Sequence, residues 1–247
     1  MGEDGSSRFH TTHWSLIAAL PERADRTLDD RAQEALEHLC ETYWQPLYAF
    51  ARYSGWSAED AQDLTQAFLA KVVETSGLGG ADPERGRFRS YLLGAMKHFM
   101  ANTREHAKAK KRGGGHRFVR GDLSEVESSL AALNQPGSAT EVERAFDRSW
   151  AQRTTATALD RLEREWSDRG KRDQFEALRT ALTAELPDRP AVADRLGMTE
   201  NALNVAIHRL RHRYAALVRE AVARTVADEA DIEDELRYLV AVLREIS

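Results

Sequence analysis

A single cysteine, Cys40, among 247 residues excludes an internal disulfide and suits a chain that folds in a reducing compartment. Lying in an apolar helical stretch, it reads as a small buried core residue rather than a nucleophile. No apolar run approaches the roughly 20 residues that cross a bilayer, and the opening MGEDGSSRFH lacks the apolar centre of a signal peptide. The expectation is a soluble, cytoplasmic protein without a membrane partner. Catalytic signatures are missing too: there is no Walker loop, no Gly-x-Ser-x-Gly, no cysteine pair at metal spacing and no His-Glu-x-x-His. The eight histidines are scattered over helical faces, and GGAD and RGGGH follow no strand, so neither reads as a phosphate loop. The sequence predicts no catalytic residue, no metal and no cofactor, hence a protein that is not an enzyme.

Proline and glycine are few, 6 and 15, and gather at 77–86, 113–121 and 134–137, which marks the joints. Aromatic content is only 8%, against 42% hydrophobic and 30% charged residues, a balance that builds helical cores and no large sheet. No stretch alternates as a strand and no repeat is visible. The predicted fold class is all-α: two helical domains joined by a flexible linker, the second containing a helix-turn-helix, plus an amphipathic C-terminal helix. The divisions fall at 1–27 (an N-terminal extension), 28–112, 113–140 (the linker, with one helical turn), 141–225 and 226–247.

Apolar residues recur at helical spacing from Leu28 to Ser54, with Pro46 expected as a kink or a helix start. Ser57 then opens a second helix, three residues before Asp60 in SAEDAQDL, and Ala61, Leu64, Phe68 and Val72 form its stripe as far as about Ser76. A third helix carries Phe88, Leu92, Ala95, Met96 and Phe99 and runs on into a basic segment. Although the chain has a net charge of −5, residues 104–120 hold seven bases against the single acid Glu105.

In the second half, Phe146, Trp150, Ala158, Leu162 and Trp166 keep a helical period before a break at Gly170. PAVADRLGMTENALNVAIHRLRHRY fits a helix-turn-helix: Val192 and Leu196 face inward, Gly197 supplies a left-handed corner, and Thr199 caps the second helix. Leu203, Ile207, Leu210, Tyr214 and Leu217 make that helix's inner face. Its outer face carries Asn201, Asn204, Val205, His208, Arg209, Arg211 and His212, amide and basic groups able to reach base edges and phosphates in a major groove.

In this order DAQDLTQAFLAKVVE (60–74), DPERGRFRSYLLGAMKHFMANTREHAKAKK (82–111) and VADRLGMTENALNVAIHRLRHRYAAL (192–217) resemble the extracytoplasmic-function (ECF) group of bacterial RNA polymerase sigma factors. The resemblance spans about 31–112 and 145–222. It implies a region 2-like domain at 28–112, a region 4-like domain at 141–225, and a protein that binds core RNA polymerase and directs promoter-specific transcription initiation by recognising and helping to melt promoter DNA. Its partners would be core polymerase, promoter DNA and an anti-sigma protein or other regulator.

The family's docking helix falls on Asp60, Asp63, Leu64 and Gln66, with Gln62 where an acid is usual. The single-stranded, downstream promoter element falls to Arg87, Arg89, Lys97, His98, Asn102, Arg104, Lys108, Lys110 and Lys111, with His98 and Asn102 as base readers and the lysines on phosphate. The upstream element falls to Thr199, Asn201, Asn204, His208, Arg209, Arg211 and His212. In place of the family's Leu-Pro-x-x-x-Arg stretch, ELPDRPAVADRL is shorter. The alternative function is a helix-turn-helix regulator, or a helical protein-interaction adaptor, acting without polymerase.

Residues 226–247 carry seven acids against Arg237 and Arg244. Such a tail either folds back on the basic recognition helix or caps the second domain's core. The cap is preferred, because apolar helix faces stabilise more than exposed charges do.

Overall fold

A computed structural model describes residues 30–74, 87–107, 123, 126–128, 137–226 and 228–246. Every regular element among them is helical: α1 (Asp30–Tyr53), α2 (Ala58–Glu74), α3 (Phe88–Ala107), α4 (Ala139–Asp168), α5 (Arg172–Leu178), α6 (Arg189–Arg195), α7 (Glu200–Ala223) and α8 (Ile232–Ile246). Short 3-10 turns occupy Arg179–Leu182 and Glu229–Asp231. No described helix is long and apolar enough to cross a membrane.

Contacts divide the described chain into two compact units. The first holds the residues up to Ala151 together with those from Ala223 onward, and the second is Gln152–Val222. These bounds differ from the sequence divisions in two places. The first unit takes the opening turns of α4, because Val142, Phe146 and Trp150 supply buried side chains there. It also takes the C-terminal helix, which had been expected against the second domain.

The first unit's core is aromatic. Tyr43 meets Phe88 edge-on at 5.2 Å and stacks with Phe146 at 6.3 Å, while Trp44 stacks on Tyr48 at 5.4 Å. Leu47, Tyr48, Leu69, Leu92 and Met96 are wholly buried beside them. Side chains of this size contribute about 1.5–3 kcal/mol each on burial. Pro46 does not start a helix but lies inside α1. Its ring leaves the Thr42 carbonyl without its usual donor, and the packed residues on both sides hold the helix through that gap. Cys40 is buried, and burial first, then Glu37 and Glu41, pushes its thiol up to about 12.

Part of the expected linker is pinned. Residues 126–128 are helical, Val126 is buried, and Glu127 takes a two-pronged contact from Arg52 (Nε 2.7 Å, Nη2 2.8 Å) and a 2.5 Å hydrogen bond from the Tyr48 hydroxyl. Hydrogen bonding from Arg52, more than the opposing desolvation, holds the Glu127 carboxyl below its ordinary range. Residues 113–122, 124–125 and 129–136 of that segment lie outside the described residues. At the start of α4, Ser138 and Glu141 cap each other, with the Ser138 N–H donating to Oε2 at 2.6 Å and the Glu141 N–H to Oγ at 3.4 Å.

The second unit is organised around the later turns of α4, with Ala158 and Leu162 buried along it. Phe175 and Leu178 of α5 and Leu203, Ile207, Leu210 and Leu217 of α7 are buried in the same unit. Arg213 of α7 grips Glu165 of α4 through two nitrogens at 2.6 and 2.8 Å and reaches Glu220 at 3.1 Å, and Arg161 meets the same Glu220 at 2.7 Å. The Tyr214 hydroxyl donates to the Thr155 carbonyl at 3.2 Å.

Candidate nucleic-acid interface

The α2 face expected to dock a protein is only partly available. Ser57 and Asp60 make the helix start: the Ser57 hydroxyl donates to Asp60 Oδ2 at 2.7 Å, and the Asp60 N–H donates back to Oγ at 3.1 Å. Asp60 and Asp63 are exposed and Gln66 is half-buried. Leu64, however, is 4% exposed and belongs to the core, so its assignment as a docking contact is corrected: it sits on the inward stripe with Ala61 and Phe68.

On α3 the expected nucleic-acid residues separate by face. His98 and Asn102, one turn apart, are exposed together. Lys97 is exposed next to them and paired with Glu143 of α4 at 2.5 Å. Arg104 is exposed, donates to the Ser54 carbonyl at 3.0 Å and lies 5.2 Å from the Trp56 ring, so its fork is oriented by α1 and the turn after it. Lys108, Lys110 and Lys111 lie outside the described residues.

The two remaining arginines behave differently. Arg89 is 8% exposed, and its assignment to an open DNA-binding face is corrected. Its Nε donates to Glu235 of α8 at 2.6 Å and its Nη1 to Asp147 of α4 at 2.7 Å. Its guanidinium lies 4.0 Å from the Tyr238 ring and 5.3 Å from that of Trp150. The Tyr238 hydroxyl donates to the other oxygen of Asp147 at 2.7 Å. Half-buried Arg87 meets the second oxygen of Glu235 at 3.0 Å. Glu235, only 2% exposed, therefore bridges two guanidinium groups. Although burial alone would lower it, the pKa of the Arg89 guanidinium is raised, since the charge and hydrogen bond of Glu235 and the charge of Asp147 favour the cation.

This cluster corrects the reading of the tail. Residues 232–246 do not cap the second unit's core: α8 belongs to the first unit, with Ile232, Leu239 and Val242 buried. Glu235, Asp147, Tyr238 and Trp150 were not anticipated as partners of Arg89. The available signal was the i,i+3 pair Glu235 and Tyr238 beside the apolar stripe of an amphipathic tail, but the spacing does not say which helix that stripe meets.

In the second unit, α6 and α7 are separated by four residues, Leu196–Thr199, with Gly197 at φ 62°. The Thr199 hydroxyl accepts from the Ala202 N–H at 3.2 Å. Asp188, at φ 46°, starts α6 by accepting from the Ala191 N–H at 3.2 Å, a left-handed position that aspartate tolerates better than most residues. Asn201, Asn204, Val205, His208, Arg209, Arg211 and His212 are all exposed. At 100° per residue, positions 201, 204, 205, 208 and 212 share one face, flanked by 209 and 211. The His208 and His212 rings stack with centroids 6.3 Å apart, and the Asn204 side chain pairs with Arg189. Arg211 donates to the Ala181 carbonyl at 2.7 Å, which turns it toward the α5 side of the unit.

Among the described residues no group of three or more His, Cys, Asp or Glu is placed to hold a metal ion. Chemically, the exposed faces of α3 and α7 offer hydrogen-bond donors, amides and cations, which suit phosphate and base edges. No protein-family model, curated protein or solved structure matches the chain.

Proposed function

We propose that the chain is a sigma factor that binds core RNA polymerase, recognises promoter DNA and helps to open it. Single-stranded DNA is held along the outer face of α3, where His98 and Asn102 read unstacked bases and Arg104, Arg87 and Lys97 approach phosphates. Duplex DNA is read by α6, its corner and α7 acting as a helix-turn-helix. In that arrangement Asn201, Asn204, His208 and His212 enter the major groove, while Arg209 and Arg211 take the flanking phosphates. Polymerase is held by the acidic first turns of α2, through Asp60, Asp63 and Gln66.

The observation that carries this reading is the presence of one outward polar face in each compact unit, on α3 and on α7, both lined by amides and bases. A protein with two separated DNA contacts needs such a pair, and an adaptor acting without nucleic acid does not.

Retention of the chain on immobilised core polymerase tests the proposal. The unaltered protein should be retained, and Asp60→Ala with Asp63→Ala should be retained markedly less. Circular dichroism has to accompany that variant, because Asp60 also helps to start α2. No retention of the unaltered chain would end the assignment and leave a helix-turn-helix regulator without polymerase.

A further inference from the structure

Glu235 is an acid with almost no exposure, and each of its oxygens meets a different arginine of one short stretch, Arg89 at 2.6 Å and Arg87 at 3.0 Å. Arg89 holds its oxygen by a hydrogen bond from Nε, whereas Arg87 lies at ion-pair distance from an oxygen that accepts no hydrogen bond, and two guanidinium groups gathered on one anion suit a phosphate. A contact needed only for packing would lose nothing by being apolar, since buried ion clusters seldom stabilise more than hydrophobic groups of the same volume.

The surroundings extend the argument. A cleft of about 370 Å³, lined by Arg89, Ser90, Gly94, Lys97, Asp147 and Tyr238 among others, opens beside Arg89. Along α3 it leads from Arg89 to Lys97, about 12 Å at 1.5 Å per residue. Trp150 and Asp147, which also hold the Arg89 guanidinium, come from α4 and do not depend on α8.

We propose that Arg87 and Arg89 form a binding site for the phosphodiester backbone of single-stranded nucleic acid, and that α8 keeps it closed by placing the Glu235 carboxylate where a phosphate would sit. Strand and carboxylate compete for the same two forks. Loading of a strand along α3 displaces Glu235, and the α8 acids discourage strands held too weakly to do so. The identity of the ligand rests on the function proposed above. The occlusion itself rests on the arginine geometry.

The test uses the full chain and a labelled 15-nucleotide oligothymidylate, followed by anisotropy at several salt concentrations. Glu235→Gln keeps the volume of the side chain and removes its charge. It should tighten binding at least about fivefold and steepen the salt dependence by about 0.7 in slope, the value for one added phosphate contact on a single strand. Adding Arg87→Gln should reverse part of both changes. A folded Glu235→Gln chain with unchanged affinity and slope overturns the proposal, as does absence of oligonucleotide binding by both proteins. Should the substitution unfold the chain, hydrogen exchange of the unaltered protein decides: α8 amides must lose protection when the oligonucleotide binds, and unchanged protection overturns the proposal. Polymerase retention, measured alongside, reports separately on the sigma-factor reading. A chain that gains strand affinity in Glu235→Gln without binding polymerase keeps the masked site and loses that reading.

Discussion

At the scale of single residues, the same side-chain chemistry carries different consequences according to its surroundings. Cys40 stands behind a buried helix face with its thiol pushed up to about 12, so at pH 8 the folded chain should resist Ellman's reagent and react only as fast as it unfolds. Rapid labelling of the native protein would contradict that. Gly197, at φ 62° between α6 and α7, holds a conformation that costs an L-residue about 1 kcal/mol. Open space surrounds the position of an added Cβ. Gly197→Ala should therefore lower stability by about that amount through the backbone alone, measurable in urea titrations. His98 and Asn102 are the residues to change for a test of base reading: His98→Ala or Asn102→Ala should alter promoter preference in run-off transcription with little loss of fold, since both side chains are exposed. An unchanged preference would remove the reader role from this face. These positions were legible because exposure follows the helical period. Arg89 was not, because its burial comes from helices about 60 and 150 residues further along the chain, a separation that local spacing does not register.

At the scale of elements, helix starts were written locally where a cap exists. Ser57 with Asp60 begins α2 as the residues suggest, and Thr199 begins α7. Ser138 with Glu141 is the same device at α4, straddling the sequence division at 141. Ser138→Ala should cost about 1 kcal/mol. The pairing of α4 with α7 has a distinct pH signature. The Arg213 guanidinium, by hydrogen bonding first and despite some desolvation, holds Glu165 below the ordinary carboxylate range. A lowered carboxylate stabilises the fold fully above its unfolded value and loses that contribution as pH falls through its folded value. Glu165→Gln should therefore cost about 1 kcal/mol at neutral pH, discounted for partial exposure. It should also flatten the loss of stability below about pH 4.5, near the unperturbed glutamate value. Glu127, held low by Arg52, should behave alike in the first unit. An acid branch that keeps its slope in both variants would show that these pairs are not the titrating groups.

At the scale of the whole molecule, the chain leaves its first compact unit within α4 and returns to it at Ala223, so the second unit is an insertion and not an appendage on a linker. Removing residues 226–247 should therefore destabilise the first unit, since Ile232, Leu239 and Val242 are buried there. The expected loss is about 3 kcal/mol or more, from the burial of three apolar side chains, and the fluorescence of Trp44 and Trp150 should report it in denaturant. An unshifted transition would mean that the tail contributes no packing. What the sequence determined by itself was the helical class, the stripes of α1, α2, α3 and α7, the corner at Gly197 and the exposed polar faces. All of these depend on periods and propensities acting within a few residues. What only the tertiary structure decided was the partner of each stripe: that the acidic tail packs with α3 and α4, that Pro46 is carried inside a helix, and that Arg89 faces a carboxylate instead of solvent. An amphipathic helix states how much apolar surface it must bury, but the choice of where depends on the shape and charge of surfaces assembled from distant segments.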